Sequence, residues 1–484
     1  MEGHAGVRQR PLHPVLGMNA LHDLSARDLL AAYRARSLSP VEVTQALLDH
    51  IARWEPHLAA TWLLRPEAAL AQARASEARW LRGAPCGPLD GVPATVKDNI
   101  ATQGDPTPLG TAAAELLPAA ADAPPAARLR EAGAVVVCKT TMPDYGMLSS
   151  GLSSFHKLAR NPWDLGKTPG GSSAGAGAAA AAGYGPLHLG TDIGGSIRLP
   201  AGWCGVFGLK PSLGRVPIDP PYTGRAAGPM TRSAADAALM MQVLSQPDAR
   251  DSMSLPPEPI AWERYAERSL QGLRVGLLLD AGCGLPTDPE VRAAVASAAR
   301  LFEQAGAIVV PMRPFLTRQM LDGMDHFWRM RSHMDLRTLA PDRQAQVLPF
   351  IRDWAMSAAA LDGAQVFDAS QQFHATRVAT VRACAPFDYV LSPVAPIAAF
   401  PAELPSPTND PLRPLEHIAF TVPFNMSEQP AASVNCGYTA SGLPIGLQIA
   451  GRRFDDLGVL QVAHAFEQMR GPQRPWPLPP AASV

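Results

Sequence analysis

From residue 91 onward, short apolar runs alternate with stretches of helical periodicity, and no other feature of the chain constrains the fold as much. The apolar runs that predict buried strands lie at 134–138, 273–279, 307–311, 389–391 and 445–449. Stretches that predict helices lie around them, at about 124–132, 173–183, 232–245, 288–305 and 456–469. Because strands that alternate with helices pack as layers, this order predicts an α/β fold.

The first 85 residues have a different pattern, which predicts a layer of helices over about 18–85. Ser39 and Glu42 form a capping box around Pro40, so we expect a helix from residue 40 to residue 53. Apolar residues at helical spacing predict two more helices, at 25–36 and 66–82. Residues 1–17 contain no apolar segment of signal-peptide length, and we expect them to be a disordered leader.

The remainder of the chain, 18–484, is expected to form one domain. Two segments rich in proline and polar residues, at 246–259 and 400–414, are candidate breaks, but strand-like runs continue on both sides of each. Within the domain we expect a core at about 86–245 and a return to that core at about 386–470. A variable helical region at about 314–385, rich in methionine and aromatic residues, is expected to form a pocket wall.

Charge and composition exclude several classes of protein. The formal net charge of −1 argues against binding to nucleic acid or to an anionic membrane surface. No run of about 18 apolar residues is present, so we expect no membrane span. The six cysteines are scattered without the spacing of a disulfide framework or a zinc site, and a cytoplasmic location is the simplest expectation.

Two glycine-rich runs, 168–175 and 190–198, each contain a serine in a chemically useful setting: Ser172 in the first and Ser196 in the second. Glycines without a Cβ allow the neighbouring backbone N–H groups to turn inward, where they can stabilise a developing oxyanion. Lys97 lies upstream and could accept a proton if burial keeps it neutral. Together these residues predict acyl-transfer chemistry.

Other motifs that resemble these runs do not fit. Asn161 stands where a phosphate loop ending at Gly166-Lys167-Thr168 would need glycine. The run 175–180 follows a serine-glycine turn instead of a strand, which argues against a dinucleotide site. Arg198 stands where a hydrolase nucleophile elbow needs its second glycine. No histidine motif accompanies Ser196, and we interpret His156 and His188 as structural.

The combination of segments resembles the amidase signature family. The resemblance begins at 93–99, continues through 161–173 and 191–198, and includes Phe207-Gly-Leu-Lys-Pro211. It returns at 424–434 and at Gly442-Leu-Pro-Ile-Gly-Leu-Gln448, so that it covers most of residues 20–470. It implies the amidase signature fold, with a central, mixed, twisted β-sheet covered by helices on both faces.

The resemblance also implies roles for individual residues. Ser196 matches the nucleophile, Ser172 the bridging serine that the family holds with a cis peptide bond, and Lys97 the base. The oxyanion hole would consist of backbone N–H groups, those of Ile193, Gly194, Gly195 and Ser196. As a donor and acceptor at once, the hydroxyl of Ser172 can pass a proton from the nucleophile to the lysine.

Supporting roles and a pocket complete the expected site. Ser173 should orient Ser172 or cap the helix that follows, and Asp192 and Arg198 should form a buried pair that holds the nucleophile loop. The apolar substrate pocket is expected to include Tyr145, Gly146, Met147, Phe327 and Trp328. No metal and no cofactor are expected.

The implied activity is hydrolysis of a carboxylic amide C–N bond through an acyl-enzyme, on small apolar or aryl amides. Esters and carbamates (urethanes) are alternative main substrates, and a non-catalytic binding protein on the same fold is an alternative of another class. We find no counterpart of the C-terminal glutamine-binding region of the glutamyl-tRNA amidotransferase A subunit, and no membrane-binding segment like that of fatty acid amide hydrolase. The expected partner is the small-molecule substrate, and we expect no binding to nucleic acid or membrane. The sequence leaves the oligomeric state open, and a homodimer is one alternative.

Overall fold

Eleven strands of the chain form one sheet in a computed structural model, which describes residues 21–481. The strands are β1 (Thr61–Leu64), β2 (Pro93–Lys97), β3 (Val135–Thr140), β4 (Leu187–Asp192), β5 (Phe207–Lys210), β6 (Ala226–Thr231), β7 (Arg274–Leu277), β8 (Ile308–Pro311), β9 (Tyr389–Pro393), β10 (Ala431–Tyr438) and β11 (Pro444–Ala450). Their order across the sheet is β1-β3-β2-β4-β6-β5-β10-β11-β9-β7-β8. The sheet therefore includes strands from both sides of each candidate break.

The sheet is mixed, and its two parallel portions lie in different halves. Strand β2 pairs in parallel with β3 and β4, and β7 pairs in parallel with β8 and β9, whereas the remaining neighbours are antiparallel. Val96 is in register with Leu189 across the β2–β4 pair. Because parallel strands end at the same edge of a sheet, the last residue of β2, Lys97, lies beside the end of β4.

Helices pack on both faces of the sheet. Those in the described residues are α1 (Ala26–Ala35), α2 (Pro40–Leu58), α3 (Pro66–Leu81), α4 (Pro124–Glu131), α5 (Ala174–Ala182), α6 (Arg198–Cys204), α7 (Ala234–Leu244), α8 (Pro289–Gln304), α9 (Arg318–Leu336), α10 (Pro341–Gln344), α11 (Pro349–Met356), α12 (Gly363–Cys384), α13 (Val422–Met426) and α14 (Asp456–Met469). One hydrophobic cluster joins β2 and β4 to α7, α8 and α14, and another joins β3 to α2 and α5. The predicted α/β fold, with helices on both faces of a mixed sheet, is confirmed.

Helix α5 connects the first glycine-rich run to β4, and all nine of its residues are buried glycine or alanine. A Cβ added at Gly175 would lie 2.1 Å from the carbonyl oxygen of Ala60. A Cβ added at Gly177 would lie 2.9 Å from the Cβ of Pro200. The small residues therefore let this helix pack closely against the segments around Ala60 and Pro200. This packing fixes the position of the start of the helix, which lies next to Ser172.

Several strands were not predicted from the apolar runs, namely β1, β2, β4, β5, β6 and β10. Strand β6 contains Gly228 and Pro229 yet lies between β4 and β5, although both residue types are uncommon inside a sheet. Strand β1 has only four residues and is held at the sheet edge by its pairing with β3. Tertiary pairing decides these segments, and local propensity does not.

The expectations for the ends of elements and for the termini differ in detail from the structure. Helix α2 continues to Leu58 instead of ending at residue 53, and the N-terminal layer contains strand β1 as well as helices. The expected leader at 1–17 lies outside the described residues. No helix in the part of the chain that the structure describes is long and apolar enough to cross a membrane.

Candidate active site

The clearest contact between predicted site residues joins Lys97 to Ser172. The Nζ of Lys97 donates hydrogen bonds to the Oγ of Ser172 at 2.8 Å and to the Oγ1 of Thr191 at 2.9 Å. Lys97 is completely buried and Ser172 is 4% exposed. The end of β2, the loop before α5 and the end of β4 thus meet at one edge of the sheet.

Burial sets the charge of this lysine. Desolvation lowers the pKa of Lys97 to about 7. The carboxylates of Asp192 and Asp98 act in the opposite direction and raise the pKa, whereas the charge of the Arg225 guanidinium lowers it. At neutral pH a large fraction of the Lys97 side chain is therefore an uncharged amine, which can accept a proton.

Ser172 is held between the backbone of its own loop and Gly146. The peptide bond between Gly171 and Ser172 is cis. Gly146 has a φ of +70°, and a Cβ added there would lie 3.2 Å from the Oγ of Ser172 and 3.1 Å from the Cε of Met142. Glycine at 146 therefore leaves room for the Ser172 hydroxyl, and Gly146 itself lies at the cavity wall.

Ser196 follows β4 in the turn that leads into α6, and it lines the same cavity as Ser172. Its hydroxyl makes no hydrogen bond to another residue within 21–481 and is open to the cavity. Catalytic hydrogen bonds are often long or unformed before substrate binds, so the absence of a bond to Ser172 is compatible with a catalytic role.

The expected oxyanion hole is only partly available. The N–H of Gly195 donates to the Oδ1 of Asp192 at 2.8 Å, so it is not free to bind a substrate oxygen, contrary to expectation. The N–H groups of Ile193, Gly194 and Ser196 have no acceptor within residues 21–481. These three donors remain as candidates to stabilise an oxyanion.

Asp192 and Arg198 form the buried pair that was expected around the nucleophile loop. The carboxylate of Asp192 accepts from the Nε of Arg198 at 3.0 Å and from its Nη2 at 2.9 Å. It also accepts from the N–H of Ile197 at 3.0 Å, in addition to that of Gly195. Burial alone would raise the pKa of Asp192, but the charge and hydrogen bonds of Arg198 outweigh it and hold that pKa well below its usual range. One carboxylate thus fixes the turn on both sides of Ser196.

The C-terminal part of the chain completes this network. The Nη1 of Arg198 donates to the carbonyl oxygen of Thr421 at 2.9 Å and to the Oε1 of Gln448 at 2.7 Å. The Nδ2 of Asn425 donates to the Oδ1 of Asp192 at 2.9 Å. The hydroxyl of Thr421 donates to the carbonyl oxygen of Gly194 at 2.6 Å. The segment at 421–448 therefore holds the turn around Ser196 from outside.

Ser173 is a tether between the two glycine-rich runs. Its Oγ donates to the carbonyl oxygen of Thr191 at 3.1 Å and accepts from the N–H of the same residue at 3.3 Å. Its side chain makes no capping hydrogen bond to α5, so the expected cap is wrong: the hydroxyl is already used by β4. The tether fixes the backbone next to Ser172.

Two cavities meet at Ser196. The first, which we call the catalytic cavity, has a volume of about 490 Å³ and includes Ser172, Ser196, Tyr145 and Met147. The second, which we call the side cavity, is smaller, and its wall includes Trp328. Other apolar residues of that wall are Met147, Leu148, Ile193, Leu415 and Ile418.

The expected pocket residues are not all brought together. Tyr145, Gly146 and Met147 line the catalytic cavity, and Trp328 lines the side cavity. Phe327 lines neither of them. Its ring and that of Trp328 both pack edge-on against Phe373 of α12, at 5.0 Å and 5.7 Å between ring centroids, but only Trp328 also reaches the side cavity.

Several residues at the site were not anticipated. The Oγ1 of Thr191 accepts hydrogen bonds from the Nζ of Lys97 and, at 3.1 Å, from the Nδ2 of Asn99. The position of Thr191 directly before Asp192 in the sequence was the signal that could have identified it. Tyr222, Arg225 and Arg331 line the catalytic cavity. They carry no local motif, and only the fold brings them to the serines.

Neither of the two nearby histidines contacts the serines. The ring nitrogens of His188 lie 2.9 Å from the Oγ1 of Thr95 and 2.9 Å from the carbonyl oxygen of Gly185. The Nε2 of His156 lies 2.9 Å from the Oδ2 of Asp98. Within residues 21–481, no group of three or more histidine, cysteine or acidic side chains is arranged to hold a metal ion.

Comparison with known proteins gives matches along most of the chain. Residues 42–460 match the family model described as Amidase. The glutamyl-tRNA(Gln) amidotransferase A subunit from Myxococcus xanthus is 36% identical, over 93% of this chain and 97% of that protein. We expected no counterpart of the C-terminal region of such subunits, yet the match extends over nearly their whole length.

Solved structures agree with the sequence match. A bacterial aryl acylamidase of the amidase signature enzymes has a TM-score of 0.86 at 28% identity, over 93% of this chain and 96% of that chain. Peptide amidase from Stenotrophomonas maltophilia has a TM-score of 0.80 at 27% identity, over 95% of this chain and 99% of that chain. The family model spans most of the chain, and relatives found by sequence and by structure match it over nearly their full length. The chain therefore belongs to the amidase signature family.

Proposed function

We propose that this amidase signature enzyme hydrolyses the C–N bond of small apolar or aryl carboxylic amides through an acyl-enzyme. The observation that carries the proposal is the 2.8 Å hydrogen bond between Lys97 and Ser172, buried beside the cavity that Ser196 lines. A serine hydroxyl is a weak nucleophile at neutral pH and needs a base within reach. A desolvated lysine connected through a second hydroxyl meets that need.

The proposed reaction begins with Ser196 as nucleophile. Its Oγ attacks the amide carbonyl carbon while its proton passes to Ser172, whose own proton passes to the Nζ of Lys97. Negative charge develops on the carbonyl oxygen, where the N–H groups of Ile193, Gly194 and Ser196 can donate to it. The same path in reverse delivers a proton to the leaving amine nitrogen as the C–N bond breaks. Water then attacks the acyl-enzyme and gives its proton to Lys97 by way of Ser172. The ester bond to the Oγ of Ser196 breaks, the proton returns to that oxygen, and the carboxylic acid is released.

The apolar residues of the side cavity support the preference for apolar or aryl groups. Trp328, Leu415 and Ile418 offer a hydrophobic wall next to Ser196. The structural neighbours include enzymes that act on an aryl amide and on 6-aminohexanoate cyclic dimer, as their names state. These similarities support the proposal that the substrates are amides with an aryl or alkyl group.

A second candidate is the glutamine-hydrolysing half of an amidotransferase that works with partner subunits. The match to the amidotransferase A subunit, at 36% identity over 97% of its length, favours it. It predicts release of ammonia from glutamine, which the first candidate does not.

One experiment tests both candidates. The purified chain is treated with a fluorophosphonate probe, and the labelled residue is identified by mass spectrometry in the wild type and in Ser196→Ala. Turnover is then compared on acetanilide, an aliphatic amide, glutamine, a p-nitrophenyl ester and an aryl carbamate. We expect labelling at Ser196 and fastest turnover of the anilide. Labelling at another residue would contradict the role of Ser196. Absence of both labelling and turnover would favour a binding protein. If the ester, the carbamate or glutamine is turned over faster than the anilide, that compound class replaces the apolar amide as the main substrate.

A further inference from the structure

The catalytic cavity contains two guanidinium groups without an acidic partner. Arg225 precedes β6 and Arg331 lies on α9, and both line the cavity together with Ser172 and Ser196. Arg331 also lines the side cavity, so it stands where the two cavities meet beside the nucleophile. In the mechanism proposed above, neither guanidinium contacts a reacting atom, although the charge of Arg225 helps to lower the pKa of Lys97.

Arg331 has the weaker set of contacts. Its Nη2 donates to the sulfur of Met147 at 3.0 Å, and a thioether is a weak acceptor. Its Nε is buried and has no hydrogen-bond partner. A guanidinium has five N–H donors, so most of the donor capacity of Arg331 is unused. A buried donor without an acceptor costs free energy that a bound ligand can recover.

The other arginines of the same helix are different. Arg329 donates to the carboxylate of Asp325, and Arg318 lies 2.7 Å from the carboxylate of Glu416. Within residues 21–481, Arg331 has no carboxylate at ion-pair distance. The missing partner is therefore a property of this position and not of the helix.

Arg225 lies close enough to Arg331 for the two charges to interact. Burial and then the charge of Arg331 lower the pKa of Arg225. The guanidinium carbons of Arg331 and Arg225 lie 5.0 Å and 6.0 Å from the centroid of the Tyr222 ring. Arg225 donates to the carbonyl oxygen of Pro220, and no described carboxylate forms an ion pair with it. Two like charges are thus held near one aromatic ring inside the cavity, an arrangement that a bound anion would stabilise.

Two aspartates also belong to the wall, but they occupy a different position. Asp219 and Asp335 are exposed to solvent, whereas Arg225 and Arg331 are partly buried. Asp335 lies four residues after Arg331 on α9, yet the two do not form an ion pair. The acidic groups lie on the exposed part of the wall, and the guanidinium groups lie deeper.

We propose that Arg331, assisted by Arg225, binds a carboxylate group of the substrate, so that the amide hydrolysed here carries an acid function in addition to its apolar body. A carboxylate matches the planar fork of a guanidinium and accepts two parallel hydrogen bonds from it. This inference rests on the proposed amidase function and specifies its substrate class.

The test compares charged anilides with neutral ones of the same shape. Succinanilate carries the carboxylate on its acyl part, and 4-methylpentananilide replaces that carboxylate with an isopropyl group. In the second arm, 4-acetamidobenzoate carries the carboxylate on its amine part, and 4-isopropylacetanilide is the neutral match. In one arm we expect kcat/KM to favour the charged anilide by roughly 10- to 100-fold, the effect of a hydrogen-bonded charge. The arm that shows it identifies which part of the substrate faces Arg331.

Variants assign the preference to the residue. Arg331→Met should remove the preference for the charged anilide, and Arg331→Lys should keep part of it because the charge remains without the fork. Arg337→Met is the matched control, since Arg337 directly follows α9, near the sulfur of Met334 and outside the cavity. It should keep the wild-type preference. Equal kcat/KM for charged and neutral anilides in both arms, or an equal loss for both in Arg331→Met, would overturn the proposal.

A binding measurement separates this proposal from the proposed function. Ser196→Ala cannot form an acyl-enzyme, so calorimetry with this variant reports binding alone. Tighter binding of a charged anilide than of its neutral match, lost in Ser196→Ala/Arg331→Met, supports the carboxylate site even if the wild type hydrolyses no anilide. Equal affinity for the two overturns it, whatever the turnover.

Discussion

Asp192 accepts two hydrogen bonds from the guanidinium of Arg198, at 3.0 and 2.9 Å, and both side chains are completely enclosed by protein. Removal of one partner would leave the other charge buried and unpaired. We therefore expect Arg198→Met to lower the free energy of unfolding by about 3–5 kcal/mol, measured by chemical denaturation. The exposed pair of Arg264 and Glu267 supplies the control, because Arg264→Met should leave the denaturation midpoint unchanged. A loss below about 1 kcal/mol in Arg198→Met would show that the pair does not hold the turn.

Activity should depend on pH through Lys97. Burial lowers the pKa of this lysine to about 7, so the ammonium form, which cannot accept a proton, prevails below pH 7 and the neutral amine above it. For an amide without titratable groups, kcat/KM should rise about tenfold per pH unit below 7 and level off above it. Rate measurements from pH 5 to pH 9, with circular dichroism to follow the fold, check this. A flat profile would exclude Lys97 as the base.

Replacement of the lysine separates its chemistry from its burial. Lys97→Met should lower kcat by about 10³-fold, the usual contribution of a positioned general base. Lys139→Met is the matched control: Lys139 is also buried, burial lowers its pKa to about 8, and its Nζ donates to the carbonyl oxygen of Ile100 at 2.6 Å. The folded fraction of that control should keep its turnover. An equal loss in both variants would indicate a structural role for Lys97.

Gly146 tests the space around Ser172. In Gly146→Ala the new Cβ would lie 3.2 Å from the Oγ of Ser172 and would push that hydroxyl out of place. We expect this misplacement of the Ser172 hydroxyl to lower kcat by roughly 10- to 100-fold. Gly83→Ala has the same φ of +70° and no atom within 4 Å of the new Cβ, so it carries the backbone cost alone. Steady-state kinetics of the two variants compare the effects. If Gly146→Ala keeps the kcat of Gly83→Ala, Ser172 tolerates the contact.

The α/β fold could be predicted because apolar runs such as 134–138 and 389–391 have a clear local pattern. The positions of Lys97, Ser172 and Ser196 could be selected because glycine-rich runs and a family resemblance mark them, although their roles stay predictions. Strand β6 could not be predicted, because Gly228 and Pro229 enter the sheet through tertiary pairing with β4. Local sequence also contained no indication that the N–H of Gly195 would be used by Asp192.

The substrate pocket was the least predictable part. The segment 320–334 has several methionine and aromatic residues, so the sequence predicted an apolar wall. Helical spacing brings Trp328 and Arg331 to the same region beside Ser196, and only Trp328 fits that description. Arg225 comes from a loop more than a hundred residues earlier in the chain, and its proximity to Arg331 depends on the folded arrangement alone.

The glycine- and alanine-only helix α5 has a consequence for how enzymes of this kind can diversify. Its packing against Ala60 and Pro200 leaves almost no tolerated substitution next to Ser172, whereas Arg225, Trp328 and Arg331 come from separate, later segments of the chain. Mutations in those segments alter the walls of the two cavities without touching the packing of α5. Substitutions at these wall positions can therefore change the shape and charge of the catalytic cavity, whereas substitutions in α5 would displace the backbone beside Ser172.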